Sequence, residues 1–282
     1  MSFAEIESLK ARRSPKLGIA DLRNFETRIA GKEPFTFVRF SDGEIEILRN
    51  RRLVISGSIV EFRNRIFPNK FPQMDEKTFY PGRHLSVRHS LLNAAMFRGS
   101  NFFKGIPTSH NRAVIDREFM LRLNGGYTEE ITFADLLVNE NYLYTREKFF
   151  PMVISNFEDI FIVGNWRSQL KGELGKAELI KIPDNFFIDF EETKNNVLTS
   201  LISVPRGSLI LSSASSLSNI IGFELFKKRP DLTFLDVGTA INDWLGLPSM
   251  TREYHRLAED TAPLAGLSRL GYRLRKEHKL QW

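Results

Sequence analysis

Strands and helices alternate along the second half of the chain. The apolar runs typical of buried strands span residues 159–164, 178–183, 208–213 and 232–237, and helical spacing is found over residues 190–204 and 216–228. Strands that alternate with helices in this way are typical of βαβ units, in which the strands pair in parallel. The sequence therefore predicts an α/β fold with a mostly parallel sheet flanked by helices.

The first half of the chain has fewer clear patterns. Residues 36–40 are β-branched or aromatic and predict a strand, followed by a turn and a helix over residues 44–50. We also expect a helix over 86–97, a short strand over 101–106 and mainly helix over 111–155, whereas residues 51–82 show no clear pattern. This organisation divides the chain into a helical lead-in (1–34), an α/β domain (35–248) and a basic helical tail (249–282).

Composition excludes several classes of protein. The chain has 282 residues, no cysteine and a net charge of +6, so disulfides and thiolate metal sites are absent and any metal must bind to oxygen or imidazole. The five histidines show no ligand spacing, which leaves oxygen. No apolar run approaches the roughly 20 residues of a membrane span, and no apolar segment typical of a signal peptide follows the N-terminus. We expect a cytoplasmic protein.

The end of the first predicted strand carries two carboxylates. Asp42 and Glu44 flank Gly43, and Arg39 and Ser41 precede them. Hard cations such as Mg²⁺ and Mn²⁺ prefer carboxylate oxygen, and they commonly take one or two protein carboxylates together with substrate phosphates. A competing interpretation is structural, because Ser41 and Glu44 have the spacing of a helix capping box.

Three other predicted strands end in residues suited to ligands. Gly164 is followed by Arg167, which could hold a phosphate, and Ser213 lies in a run of small residues that opens a helix and leaves backbone N–H groups approachable. Asp236 is followed by Gly238, a pair similar to the first motif of Rossmann methyltransferases, although the later glycines of that motif are missing. Each segment could equally be an ordinary loop or a helix cap.

These segments resemble, in order, the motifs of the bacterial GT-D fold glycosyltransferases, whose sheet is Rossmann-like. The most specific match is residues 37–44, Phe-Val-Arg-Phe-Ser-Asp-Gly-Glu, against the family's Arg-Phe-Gly-Asp-Gly-Glu. Weaker matches lie at residues 145–146, 161–167, 182–186, 209–211 and 235–238. The sequence departs from the family pattern at Ser41, at Asn165, at residues 212–214 and at Thr239, but the two carboxylates are kept.

The resemblance implies a metal-dependent transfer of a sugar from a nucleotide-diphosphate sugar, with UDP-sugars as the favoured donors, to a hydroxyl of a glycan or lipid-linked acceptor used in polysaccharide biosynthesis. It implies Mn²⁺ or Mg²⁺ on Asp42 and Glu44. An inverting reaction would also need a carboxylate or histidine as base, for which we select Asp236 or Asp243. The implied substrate-binding residues are Arg39, Ser41, Gly43, Arg146, Gly164, Arg167, Asn185 and Ser213. The alternatives are an inactive nucleotide-binding module of the same fold and a Rossmann methyltransferase. Nucleic-acid binding is not expected, because the characteristic motifs are missing.

The tail has the pattern of a basic amphipathic helix. Leu264, Leu267, Leu270 and Leu274 recur every three or four residues, and five Lys and Arg residues face a single Glu277 between positions 269 and 279. Basic amphipathic helices can lie on anionic membranes. The sequence thus predicts that the tail contacts the inner face of a membrane peripherally. Alternatively, the leucines pack on the α/β domain.

Overall fold

Seven strands form one sheet in the computed structural model, which describes residues 15–69, 76–107, 113–247 and 254–255. The strands are β1 (Thr36–Arg39), β6 (Phe102–Ile106), β7 (Ile131–Phe133), β8 (Ile160–Asn165), β9 (Glu178–Ile182), β10 (Leu209–Ser212) and β11 (Thr233–Asp236). Their order across the sheet is β7-β6-β1-β11-β10-β8-β9, and every neighbouring pair is parallel. The predicted α/β fold with a parallel sheet is confirmed.

Helices cover both faces of this sheet. They are α1 (Pro15–Ala30), α2 (Asp42–Leu48), α3 (Leu85–Met96), α4 (Ala113–Leu123), α5 (Tyr142–Tyr144), α6 (Phe150–Ser155), α7 (Phe190–Ile202) and α8 (Ser216–Lys228), with a π-helical turn, Thr145–Phe149, joining α5 to α6. None of the helices in the described ranges is long and apolar enough to cross a membrane.

Successive residues of the central strands point into two different apolar cores. Val38 packs with α3, α7 and α8 on one face, whereas Phe37 packs with α1 and the α5–α6 region on the other. Ile210 and Leu211 divide in the same way. This alternation follows from the two-residue period of a strand, and burial on both faces explains why the runs are almost wholly apolar.

A second, smaller sheet fills the region that shows no clear pattern in the sequence. Its strands are antiparallel in the order β4-β3-β2-β5: β2 (Leu53–Ile55), β3 (Ile59–Phe62), β4 (Arg65–Pro68) and β5 (Lys77–Phe79). Arg63 and Asn64 join β3 to β4 with φ of 54° and 59°. Positive φ at both central residues is the backbone of a type I′ hairpin turn.

One prediction about the first half is incomplete, because it omits a strand. Residues 111–155, expected to be mainly helical, contain the strand β7 between α4 and α5. This strand is only three residues long, and its pairing with β6 brings Ile131 and Phe133 into the buried interior. A run this short has no period that could outweigh the helical spacing around it, so tertiary pairing decides its structure.

The two terminal segments are only partly described. Within the lead-in, residues 1–14 lie outside the described residues, whereas α1 packs Leu22, Phe25 and Ile29 against the sheet. Of the predicted tail, only residues 254–255 are described. Both the division into three segments and the amphipathic tail helix therefore remain predictions.

Candidate functional site

The four strand ends singled out in the sequence lie side by side. β1, β11, β10 and β8 are consecutive in the sheet, so their carboxyl ends meet at one edge. A cavity of about 370 Å³, called here the main cavity, opens there, as is usual at the carboxyl edge of a parallel sheet. Its lining includes Arg39, Ser41, Asp42, Glu44, Ser213 and Asp236. Six of the predicted site residues thus share one cavity.

Glu44 is buried at the start of α2, where its carboxylate accepts hydrogen bonds from neutral groups. Its Oε2 accepts from the Ser41 backbone N–H (3.1 Å) and the Ser41 hydroxyl (2.6 Å), and its Oε1 accepts from the Ser215 hydroxyl (3.4 Å). The capping box expected from the spacing is therefore present. Asp42, by contrast, is exposed, and its Oδ1 accepts only from the adjacent Gly43 N–H (3.0 Å).

Arg39 and Asp236 form a buried pair between β1 and β11. The Arg39 backbone N–H donates to Asp236 Oδ2 (3.1 Å), and its Nε lies 3.5 Å from Oδ1. The guanidinium also donates from Nη1 to the Ala134 carbonyl (3.3 Å). It lies directly over Gly238, where an added Cβ would come within 1.8 Å of Nη2. Gly238, at a φ of 51°, is thus required both by its backbone and by the arginine above it.

Burial makes the carboxyl of Asp236 a weaker acid than an ordinary aspartate. Loss of hydration raises the pKa of its carboxyl to about 6, and the charge of Glu44 adds to the rise, whereas Arg39 and the Gly238 N–H act against it. A carboxylate that titrates near pH 6 is suited to accept a proton close to neutral pH. Asp236 is therefore the better placed of the two predicted bases.

The turn from β10 into α8 forms part of the lining of the main cavity. Ser215 adopts a φ of 54° and a ψ of −142°, a conformation that a residue with a side chain seldom takes. The Ser218 hydroxyl accepts from the Ala214 N–H (3.1 Å) and bonds to the Ser212 hydroxyl (2.8 Å). Small residues that bond to one another allow the helix to start close to the cavity, as the sequence predicted.

The remaining predicted residues lie outside the main cavity. Arg167 donates from Nη2 to Asp184 Oδ1 (2.6 Å), and Arg146 lies 3.6 Å from Asp243. Gly164 lies within β8, where an added Cβ would meet the Ser168 hydroxyl at 3.3 Å. Asn185 accepts a hydrogen bond from the Thr78 N–H (3.3 Å) and so ties β5 to the loop after β9. Gly43 lines a smaller adjoining cavity of about 130 Å³, the side cavity.

Several residues that the sequence reasoning did not select also line the main cavity. They are Lys77, Asp135, Asn139, Asp184, Asn242 and Tyr254, among others. Asn242 is 1% exposed, and its side-chain N–H₂ has no hydrogen-bond partner among the residues that the structure describes. A buried donor of this kind costs roughly 1–3 kcal/mol unless a ligand or water satisfies it. In the sequence, the one feature that could have pointed to Asn242 as a cavity residue is its position six residues after Asp236.

Asp42 and Glu44 can hold a divalent cation only if a substrate or water supplies further ligands. The described part of the chain contains no group of three or more His, Asp or Glu side chains arranged to hold a metal. Asp42 and Glu44 alone supply two hard oxygen ligands, the number that Mg²⁺ commonly takes from a protein when substrate phosphates and waters complete its shell. The donor set therefore fits a cation that arrives with a diphosphate, provided that Glu44 turns away from Ser41.

Comparison with known proteins gives similarity of fold at low sequence identity. No family model and no curated relative matches the chain. The chain is similar to a solved structure described as a new glycosyltransferase of the domain of unknown function 1792 from Streptococcus sanguinis: 14% identity, TM-score 0.49, 78% of this chain and 80% of that one. A second structure, in which that domain is described as having a distinct glycosyltransferase fold, shares 14% identity over 77% and 76% of the two chains, with a TM-score of 0.48.

Proposed function

We propose that this protein is a glycosyltransferase that uses a nucleotide-diphosphate sugar, with UDP-sugars as the first donors to test, and Mg²⁺ or Mn²⁺. The observation that carries the proposal is the grouping of Arg39, Asp42, Glu44 and Asp236 in one cavity at the carboxyl edge of the sheet. Such a site supplies hard oxygen ligands, a cation for phosphate and a carboxylate that titrates near neutral pH.

In the proposed reaction the bond between the anomeric carbon and the diphosphate oxygen breaks, and an acceptor hydroxyl forms the new bond to that carbon. A cation held by Asp42 and Glu44 would stabilise the negative charge of the departing diphosphate. Arg39, fixed in place by Asp236 and Ala134, presents its guanidinium to the same oxygens. The acceptor's proton passes to a carboxylate, for which Asp236 is the candidate in the cavity.

Two observations favour a second candidate, an inactive nucleotide-binding module. Glu44 is engaged in the capping box. All three predicted phosphate-binding arginines are already paired, Arg39 with Asp236, Arg146 with Asp243 and Arg167 with Asp184. A site that binds a nucleotide without transferring a sugar would need none of these contacts to break. The methyltransferase alternative has no such observation in its favour, since β11 leads into a short 3₁₀ turn, Gly238–Ile241, rather than a helix.

Donor binding and donor hydrolysis test the proposal. We expect UDP-sugars to raise the melting temperature in the presence of Mn²⁺, and S-adenosylmethionine to leave it unchanged. Asp42→Asn and Glu44→Gln should each reduce hydrolysis of the donor by about 100-fold, because a charge that stabilises the leaving group is lost. Glu191→Gln is the control, because Glu191 is an exposed carboxylate on α7 that lines neither cavity.

Each outcome separates the candidates. Donor binding without hydrolysis or transfer would favour the inactive module, and full activity of both variants in EDTA would exclude the metal. A response to S-adenosylmethionine alone would favour the methyltransferase. A cytoplasmic location and a contact between the tail and anionic membranes are part of the same proposal. Co-sedimentation with anionic vesicles, with and without residues 263–282, tests the membrane contact.

A further inference from the structure

The side cavity adjoins the main cavity at the carboxylates. Five residues line both, namely Ser41, Asp42, Glu44, Lys77 and Ser215. The side cavity is completed by residues that do not reach the main one: Gly43, Ile47, Leu53, Ile55 and Phe187. The two cavities therefore approach Asp42 and Glu44 from different directions, and one molecule in each would meet its neighbour at these carboxylates.

The small antiparallel sheet builds one wall of the side cavity. Leu53 and Ile55 are two residues apart on β2 and so point to the same face, and Ile55 is paired with Lys77 on β5. All three line the cavity. Ile59 on β3 lies on the opposite face, because its strand pairs Val60, not Ile59, with Ile55. The register of the sheet thus presents two apolar side chains and one amine to the cavity.

The other apolar wall is held rigidly. Phe187 packs against Phe186 (ring centroids 4.3 Å apart) and Phe79 (5.9 Å), and the His84 ring stacks on it at 5.7 Å with an interplanar angle of 13°. Phe187 is 3% exposed, so its neighbours surround its ring on nearly every side. A fixed aromatic wall is suited to the C–H face of a ring, which makes contact without directional bonds.

We propose that the side cavity is the acceptor subsite and that it holds the terminal monosaccharide of the acceptor. The proposal rests on the glycosyltransferase function argued above. A transfer between two substrates needs both on the same reacting centre, and the larger cavity, with Arg39 and Asp236, takes the donor. A sugar ring has an apolar face and a hydroxyl rim, which match the apolar wall on one side and the Ser41 and Ser215 hydroxyls and Lys77 on the other.

The polar part of the lining argues against an alkyl chain as the occupant. Two carboxylates, two serines and a lysine share a volume of about 130 Å³. Ser41 and Ser215 already donate to Glu44, but the exposed carboxylate of Asp42 and the remaining lone pairs of the two serine hydroxyls face the cavity. An alkyl chain would take water from them and return no hydrogen bonds, at a cost of roughly 1–3 kcal/mol for each polar group left unsatisfied. Hydroxyl groups of a sugar can satisfy them. The volume also limits the occupant to about one ring, since a single water needs only about 10–15 Å³ on the same kind of measure.

Binding of simple glycosides tests the subsite. The probes are p-nitrophenyl glycosides of glucose, galactose, N-acetylglucosamine and rhamnose, measured by saturation-transfer difference NMR on the full chain with UDP and Mn²⁺ present. We expect at least one to bind. Ile55→Trp, which fills the cavity from the sheet, should weaken that glycoside at least about tenfold and leave the Kd of UDP within about twofold. Ile59→Trp adds the same side chain to the opposite face and should change neither.

The outcomes separate this proposal from the function on which it rests. If UDP binds and no glycoside does, or if glycosides bind Ile55→Trp as well as they bind the unmodified protein, the acceptor subsite is refuted and the donor site stands. If UDP does not bind, the proposed function fails. Octyl glycosides that bind through their alkyl group, with no dependence on the sugar, would identify a lipid groove instead. Ile55→Phe replaces Ile55→Trp if circular dichroism shows that the larger side chain prevents folding.

Discussion

Two glutamates of α2, two residues apart, are both buried but in opposite surroundings. Glu44 faces the cavities, and its oxygens accept hydrogen bonds from a backbone N–H and two hydroxyls. Glu46 faces a cluster of charges, with Arg51 at 3.6 Å and Arg63 at 3.9 Å, and neither of its oxygens has a hydrogen-bond partner within the described ranges. In the described part of the chain, Glu44 makes no ion pair with the protein's own Lys or Arg.

The fold supplies arginines as counter-ions for Glu46, but it supplies none for Glu44 in the described part of the chain. Arg63 comes from the hairpin between β3 and β4, and it reaches both Glu46 on α2 and Asp116 on α4. This cluster therefore fastens the small sheet to the helix that carries Asp42 and Glu44. In the described part of the chain Glu44 contacts neutral hydrogen-bond donors and no basic side chain, so a cation or a substrate can bind it without breaking an ion pair.

The largest effect should follow from removing the centre of the charge cluster. Asp116 is completely buried and binds Arg49 (2.5 Å) and Arg63 (2.9 Å). Asp116→Ala leaves both arginines without this counter-ion, and we expect it to lower the free energy of unfolding by about 3–5 kcal/mol in urea titrations. Glu191→Ala, which breaks the exposed pair with Lys194 (2.6 Å), is the control and should cost under about 0.5 kcal/mol.

The same experiment can also refute the proposed difference in role between Glu44 and Glu46. If Asp116→Ala costs no more than the control, the cluster does not hold the small sheet on α2, and the contrast between Glu44 and Glu46 has no structural meaning. If the variant folds but loses UDP binding, the cluster also sets the position of the carboxylates. Donor binding by the folded variant should be measured at a temperature well below its melting point.

The second effect is a pH dependence that arises from Asp236. Its pKa is about 6 in the folded protein and near 3.8 when unfolded, so the folded state binds the proton more tightly. The stability that this group contributes is fully present below about pH 4 and is lost as the pH rises through about 6. Between these limits we expect the unmodified protein to lose about 2–3 kcal/mol of stability relative to Asp236→Asn.

Urea titrations of both proteins at pH 4, 5, 6 and 7 measure this difference. A constant gap between the two proteins would show that the carboxyl of Asp236 is not shifted, and that Arg39 neutralises it as fully as the arginines neutralise Asp116. Asp231→Asn serves as the comparison with the opposite sign, because its partner Arg229 holds the pKa of Asp231 below the ordinary value. Its contribution is fully present above the unfolded pKa of 3.8 and is lost only as the pH falls below it, so this comparison is extended to about pH 2.5.

The parallel sheet could be predicted from sequence because its strands are buried on both faces and so are apolar throughout. The meeting of Asp42, Ser213 and Asp236 followed from that topology, since parallel strands end at one edge. The small sheet gives no such signal: all four residues of β4 are exposed, and β3 contains Glu61, which pairs with Arg52. Side-chain pairs between residues distant in the sequence could not be predicted from the sequence either. The pairing of Arg167, a predicted phosphate ligand, with Asp184 is an example, because the sequence of a βα loop does not show which residues lie across from it.

The smallest effect concerns the neutral groups around Glu44. Ser215 combines a strained backbone, at a φ of 54°, with a long hydrogen bond of 3.4 Å to Glu44. Ser215→Gly removes both, and Ser215→Ala removes only the hydroxyl. We expect the alanine variant to change the free energy of unfolding by less than about 0.5 kcal/mol, because a bond this long is weak. The glycine variant should then be more stable than the alanine variant by about 1 kcal/mol, since glycine adopts this backbone without strain. If alanine instead costs as much as Asp116→Ala, the hydroxyls hold Glu44 as firmly as arginines would, and Glu44 could not turn from them towards a cation.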